Sequence, residues 1–366
     1  MNPTPFLELS GQGRPLGQAH GEHFRDRIRE FSSTLADLNL SNIPARLSRQ
    51  DLADLCMGNV PHMARYSPVL FEELEGIAEG AGLGLADVLM LNCFLELNDL
   101  RAPMVTGRVV SSRDWGCTSF NLKPRATEDG QPLLGQTYDM EKYFADFNAI
   151  LRIAGPGGHA RLVFTLCGVL GLNGLNPFLA VAINKLVPAD SRAGVIYPML
   201  VRQALDQERV GDALSALAFA HRASGMCFQL SSPDGLAFCL ETTAARHDLL
   251  DFRHGLAHSN HYLSPALRPL EADWLTQGGS FVRLQVAQEL LDDFQGRISL
   301  EHLKGLCADH RNHPRGVCAH ALDHEGPHEA MATIAAVIME PKAGIMHFAG
   351  CHPCQQTFAS YGLARP

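Results

Sequence analysis

Arg113-Asp114-Trp115-Gly116-Cys117-Thr118-Ser119-Phe120-Asn121-Leu122 is the stretch at which the chain changes texture. Before it, from Gly21 to about Leu55, Phe24, Ile28, Phe31, Leu35 and Leu38 recur at helical spacing until Pro44 breaks the pattern. Residues 70–97 predict one acidic amphipathic helix, a glycine-rich stop at Gly80 to Gly84, and a second helix begun by Asp87. After Arg101 short β-like runs take over: VTGRVVSS, CTSFNL, PLLGQTYDM, AILRIAG, ARLVFTL and FLAVAIN. Turn signals at Glu128-Asp129-Gly130 and Gly155-Pro156-Gly157-Gly158 make hairpin-connected antiparallel strands the natural reading. Helices are expected again over 197–207, 210–221, 280–293 and 300–309, with further runs CFQLSS, LAFCLETT and HDLLDF, and a last hairpin, ATIAAVIME and IMHFAG. No repeat or low-complexity linker divides the chain, so the pattern predicts sheets covered by helices in one α+β unit.

Gly116 directly before Cys117 has a chemical meaning as well. Glycine tolerates backbone geometries closed to other residues, so a strained peptide bond can be offered to the neighbouring thiol. Attack of the Cys117 sulfur on the Gly116 carbonyl would give a thioester, and water would then release a new N-terminus at Cys117. The freed α-amine, with an intrinsic pKa of roughly 8, could serve as the base for its own thiol. A Gly-Cys pair alone is equally a buried cysteine opening a strand.

Many short segments in one order decide between these readings. SGQGRPLGQAHGEHFRDRI, EELEGIAEGAGL, LNCFLEL, DWGCTSFNL, GQTYDM, GLNGLNPFLAVAIN, HSNHYL, ADHRNHPRGVCAH, TIAAVIMEPKAG and GCHPC run along nearly the whole chain. In them the chain resembles the acyl-coenzyme A:6-aminopenicillanic acid acyltransferase family, peptidase family C45, within the N-terminal nucleophile (Ntn) hydrolases. The resemblance implies a four-layer αββα fold with two packed antiparallel sheets. It also implies self-cleavage into residues 1–116 and 117–366, held together as an α/β heterodimer, with Cys117 as nucleophile.

Four further residues carry over. Asp139, in Gln136-Thr137-Tyr138-Asp139, matches the family aspartate near the nucleophile, where a carboxylate would hold and orient the α-amine. Asn260, in His258-Ser259-Asn260-His261, matches a donor for the tetrahedral oxyanion; Asn176, in Gly174-Leu175-Asn176-Pro177, matches a second. A plain turn role is the alternative for Asn176, because Pro177 stands where a small residue is expected. Arg283 resembles the arginine that bile-salt-hydrolase-like relatives place beside the cysteine, to hold Asp139 or a substrate carboxylate; a surface helix position is its alternative. Gln136 stands where those relatives carry an arginine, which sides the chain with the acyltransferase branch.

The implied reaction is hydrolysis of a small N-acyl amide through a thioester acyl-enzyme, with no cofactor. The alternatives are an acyltransferase that uses acyl-CoA or an amide as donor, and an uncut cysteine hydrolase assisted by His261 or His258. The net charge of −9, from 30 basic and 39 acidic residues, disfavours a nucleic-acid partner, and two Trp with six Tyr offer little stacking surface. No signal-like or membrane-length segment is read, so a cytoplasmic location is expected; higher oligomers are left open. Cys307, His310, His313, Cys318, His320, Cys351 and Cys354 raise a metal reading. Their loose spacing does not reproduce a paired CxxC module, so no metal is expected.

Overall fold

The computed structural model describes residues 4–41, 48–99, 116–155, 158–272, 278–326 and 330–364. The run expected at 105–112, residues 113–115 and residues 156–157 of the Gly-rich turn lie outside the described residues. The first third is helical, as its periodicity predicts: α1 (Gly13–His23), α2 (Arg25–Ser41), α3 (Arg49–Met57), α4 (Val60–Tyr66), α5 (Pro68–Ala81) and α6 (Leu85–Asn92). Gly82 ends α5 in the left-handed conformation at φ +65°, which is what the glycine-rich stop supplies.

Glycines four residues apart also explain how α1 meets α5. A Cβ on Gly17 or Gly21 would lie 2.0 Å from Glu73 O or 2.4 Å from Ile77 O. On the other helix, a Cβ on Gly76 or Gly80 would lie 2.2 Å from Arg14 O or 2.3 Å from Gln18 O. The two backbones therefore touch through reciprocal notches that any side chain would fill. Arg14 closes the rim on Glu75 and Glu79.

Two sheets form the centre. One has six strands in the order β11-β2-β3-β12-β13-β14: Gly255–His258, Gly116–Leu122, Leu133–Glu141, Met331–Glu340, Ile345–Ala349 and Ala359–Gly362. The other has eight in the order β1-β4-β5-β6-β7-β8-β9-β10. These are Phe6–Ser10, Asn148–Ala154, Ala160–Leu166, Asn173–Leu175, Ala180–Leu186, Gly225–Ser231, Ala237–Thr242 and His247–Leu250. Every named pairing is antiparallel except β1 with β4, so the hairpin reading holds for the body of the sheets and not at that edge.

Strands β2, β3, β7 and β8 are buried along their full length, because each sheet is covered on both faces. Where the sheets meet, the seam is partly polar: Gln229 Nε2 donates to Ser119 Oγ at 2.6 Å, and Gln136 Oε1 accepts the Ile183 N–H at 2.8 Å. On the outer face of the six-stranded sheet, α9 (Gly278–Asp293) and α10 (Leu300–Cys307) pack Val286, Leu291, Leu303 and Leu306 on Phe120, Leu133 and Ile338. The eight-stranded sheet is covered by α7 (Tyr197–Leu205), α8 (Val210–Ala218) and the N-terminal helices. The layer order is αββα. Among the described residues no helix is long and apolar enough to cross a membrane.

Candidate active site

The register of β2 on β3 sets Gly116 opposite Asp139 and Cys117 opposite Tyr138, while β12 brings Thr333 to the other side of Asp139. Three strands thus focus on one end of the inner sheet. Helix α9 reaches the same point because Ser280, Arg283, Val286, Ala287 and Leu291 are its buried residues, a helical stripe that carries Arg283 inward with the apolar side chains. This removes the surface-helix reading of Arg283.

Cys117 is buried. Its backbone N–H donates to Asn260 Oδ1 at 2.8 Å, and its carbonyl accepts from Arg283 Nη1 at 2.6 Å. Arg283 Nη2 donates to the same Asn260 Oδ1 at 2.9 Å, and Nη1 lies 3.7 Å from Asp139 Oδ2. Asp139 Oδ1 accepts from Thr333 Oγ1 at 2.6 Å. Gly116 is required by this crowding: a Cβ there would stand 2.6 Å from Arg283 Nη2 and 2.9 Å from Asp139 Oδ2. A guanidinium and a carboxylate occupy the space a side chain would need.

The electrostatics follow from burial. Desolvation, and after it the charge of Asp139, push the Cys117 thiol up to about 12, against the pull of Arg283, Gln136 and the Lys185 backbone. Burial likewise raises the Asp139 carboxyl, with Arg283 and Thr333 working against it. In the continuous chain the thiol is therefore protonated at neutral pH, and the groups that ease its ionisation are already in place.

The sequence-predicted residues divide. Cys117, Asp139, Asn260 and Arg283 come together. Asn176 does not join them: its Oδ1 accepts the N–H groups of Phe178 and Leu179, both at 2.8 Å, and its Nδ2 donates to Leu205 O and Gln207 O, both at 2.9 Å. It shapes the β6–β7 turn, whereas Asn260 Nδ2 bonds Lys185 O near the other end of β7. The extended residues from Ala180 to Lys185 span about 17 Å. The cavity Asn176 lines, with Arg161, Arg202 and Asp206, is bordered by none of the four converging residues.

The histidines of HSNHYL are engaged elsewhere. His258 Nε2 pairs with Glu241 Oε1 at 2.7 Å and Nδ1 with Ser259 O at 2.8 Å. His261 Nδ1 meets Ser280 Oγ at 2.8 Å, and burial holds its pKa down to about 4. Sequence reading missed Thr333, which is 194 positions from Asp139 along the chain and has no local signal of its role. It noted Gln136 only as a branch marker. Fixed through Oε1, Gln136 leaves a buried Nε2 without a formed hydrogen bond to any described group, near enough to Cys117 to lower its thiol pKa.

No family model matches the chain. Among characterised proteins it is 26% identical over 337 residues to the acyl-coenzyme A:6-aminopenicillanic-acid-acyltransferase 40 kDa form of Emericella nidulans, covering 86% of this chain and 84% of that one. Among solved structures it is similar to the Caenorhabditis elegans ortholog of N-acylethanolamine-hydrolyzing acid amidase, at 14% identity and a TM-score of 0.45 over 62% of this chain and 93% of that one. It is also similar to penicillin V acylase from Agrobacterium tumefaciens, at 15% identity and a TM-score of 0.42 over 64% and 83%. The chain thus joins an αββα layer order to a likeness that spans most of its length, and is similar in sequence to an acyl-coenzyme A:6-aminopenicillanic-acid-acyltransferase.

Proposed function

We propose that the chain cuts itself between Gly116 and Cys117 and then works as a cysteine Ntn enzyme that breaks the C–N bond of an N-acyl amide. One observation carries this reading: the backbone nitrogen of Cys117, which would become the α-amine, already has a buried acceptor in Asn260 Oδ1, with Asp139 paired across the strand from Gly116. A buried backbone N–H needs an acceptor in any residue; what favours the reading is that this one is a side-chain amide 143 residues away that Arg283 also binds, beside the Asp139 carboxylate.

In the cut, the Cys117 sulfur bonds to the Gly116 carbonyl carbon, the C–N bond breaks, and the thiol proton passes to the departing nitrogen. Water then hydrolyses the thioester, leaving a Gly116 carboxylate and a free α-amine on Cys117. In turnover that amine takes the thiol proton, the sulfur attacks the amide carbonyl, the proton is returned to the leaving amine, and water hydrolyses the resulting acyl thioester to release the acid and restore the Cys117 thiol. Arg283 stabilises the carbonyl of Cys117 and fixes Asn260, while Asp139 holds the ammonium form. Residues 1–116 and 117–366 would remain together, since β1 and the α1–α6 helices share one core with the sheets. A small N-acyl amide is the substrate class and no cofactor enters these steps.

A second reading has one observation in its favour: the Emericella nidulans relative is named an acyltransferase with acyl-coenzyme A as donor. Water and an amine compete for the same thioester, so the two activities differ in acceptor access and share a nucleophile. The histidine-assisted alternative is disfavoured because both ring nitrogens of His258 are engaged away from Cys117 and Nδ1 of His261 is directed to Ser280 Oγ.

Intact mass with N-terminal sequencing tests the proposal. Two fragments beginning at Met1 and Cys117 are expected from the wild type, and a single uncut, folded and inactive 39.9 kDa chain from Cys117→Ala. A fully active uncut wild type, or a processed Cys117→Ala chain, would sink it. A panel of N-acyl amines and amino acids, with and without coenzyme A, then separates hydrolysis from transfer.

A further inference from the structure

Outside the candidate active site, the fold gathers four of the seven Cys and His residues whose sequence spacing was uninformative. His310, Cys318 and His320 belong to the loop that follows α10, and Cys354 to a turn that follows β13. Their ligand atoms all lie within 4.8 Å of one another. His310 Nε2 is 3.1 Å from His320 Nε2, and the sulfurs of Cys318 and Cys354 are each 3.5 Å from that same nitrogen.

Hydrogen bonding alone does not account for this. A ring nitrogen carries either one N–H or one in-plane lone pair, so His320 Nε2 satisfies one neighbour and not three. A tetrahedral ion does account for it. With Zn–S of about 2.3 Å and Zn–N of about 2.0–2.1 Å, the edges of the coordination tetrahedron are about 3.3 Å for N···N and about 3.6 Å for N···S. The three observed separations fall close to these values. The remaining pairs, all within 4.8 Å, contract onto such a centre when the ion binds.

A second cluster, Cys227, Cys239 and His258, lacks this property. Both nitrogens of His258 are already bonded, to Glu241 and to the Ser259 carbonyl, so it has no lone pair to offer.

We infer that His310, Cys318, His320 and Cys354 form a Cys₂His₂ site for a zinc-type divalent ion, which ties the loop at 309–320 to the turn at 353–355. With four protein ligands the coordination is closed, the form of a structural site. Its position gives it leverage on the centre described above. Ala319, between two of the ligands, donates its N–H to Thr333 Oγ1 at 2.7 Å, and Thr333 Oγ1 donates to Asp139 Oδ1 at 2.6 Å. The backbone of His352 donates to Thr333 O at 3.0 Å. Both segments joined by the ion therefore hold the residue that holds Asp139.

The test is elemental analysis of the full-length chain, purified without a histidine tag and exchanged into metal-free buffer, followed by cobalt(II) titration of the chelator-stripped protein. About one zinc per chain is expected, with cobalt giving the intense visible bands and thiolate charge transfer of a tetrahedral sulfur-ligated ion. Cys318→Ser and Cys354→Ser should each weaken binding about tenfold or more, and the exposed His310→Gln should do so with the fold left intact. Wild-type protein without stoichiometric zinc, whose cobalt spectrum is that of the hydrated ion, would overturn the inference. So would a Cys318–Cys354 disulfide in the unreduced protein, or full zinc retention in all three variants. The wild-type measurement decides the matter even where a variant fails to fold. It is also independent of whether Gly116–Cys117 is cut.

Discussion

Two asparagines with the same sequence-level expectation sit in opposite circumstances. Asn260 reaches across the sheets: its Oδ1 takes hydrogen bonds from the Cys117 N–H and from Arg283, and its Nδ2 bonds the Lys185 carbonyl. Asn176 closes on its own neighbourhood, with both amide atoms committed to the backbone of its turn and of the segment following α7. Each is buried with both amide atoms hydrogen-bonded, so burial and the presence of partners do not separate them. The separation lies in whom they bond. Among the described residues Asn176 bonds only backbone groups, of its own turn and of Leu205 and Gln207, whereas Asn260 bonds the nitrogen of Cys117 and a guanidinium.

The largest effect that would sharpen the contrast is removal of Asn260 or of its partner Arg283. Asn260→Ala would leave Arg283 Nη2 and the Lys185 carbonyl without partners in a buried site and would free the Cys117 nitrogen. Asn260 turns its acceptor oxygen to this group and its Nδ2 to Lys185 O, so it acts by fixing the charged donor Arg283; loss of one preorganised donor at a developing charge slows acyl chemistry by about 10²–10³-fold. Rates of precursor processing and of amide turnover should both fall by that order in Asn260→Ala and Arg283→Ala. Arg283→Lys should not restore them, because a single ammonium cannot span the Cys117 carbonyl and Asn260 together. A variant processed at the wild-type rate would place Asn260 with Asn176, as a structural amide.

A smaller, graded effect concerns pH. The thiol in the uncut chain is pushed up to about 12, so it stays protonated throughout the neutral range. Below that value the thiolate fraction rises about tenfold per pH unit. Processing of purified precursor, followed by gel or mass spectrometry, should accelerate with that slope between pH 6 and 8 if free thiolate is the attacking species. A flat profile would mean that the proton leaves within the transition state, to a base already poised beside Cys117.

What the sequence disclosed tracks how local each cause is. The helices α5 and α6 were legible because their apolar spacing and the Gly82 stop lie within one short window. Gly17, Gly21, Gly76 and Gly80 were visible as letters, but their notched contact requires two helices to be brought together first. The edge strand β1 escaped because five residues that alternate in exposure carry little signal, and its parallel pairing with β4 has no hairpin to announce it. In the candidate site, Cys117, Asp139 and Asn260 came through resemblance of short motifs. Thr333 and Gln136 act through partners in other strands, and no window of sequence contains both halves of those contacts. The same holds for His310, Cys318, His320 and Cys354: three ligands lie in one loop, and the fourth comes back 34 residues after His320.

Asn176→Ala is the smallest expected change in rate and the most direct attempt to break the comparison. The substitution removes an acceptor for two turn N–H groups and a donor for two carbonyls. Each buried backbone group left without a partner costs about 1–3 kcal/mol, and the turn can relax to recover part of it. A loss of about 2–3 kcal/mol in unfolding free energy is therefore expected, measured by denaturant titration of the Cys117→Ala background so that processing does not intervene. Processing and turnover at a temperature where the variant stays folded should remain within about threefold of wild type, because pairing with β8 holds β7 past Lys185 to Leu186 and all four hydrogen bonds of Asn176 run away from the Cys117 group. A rate loss on the scale of Asn260→Ala, with stability unchanged, would show that the turn moves to the nucleophile when substrate binds. The amide would then belong to the oxyanion site that its motif first suggested.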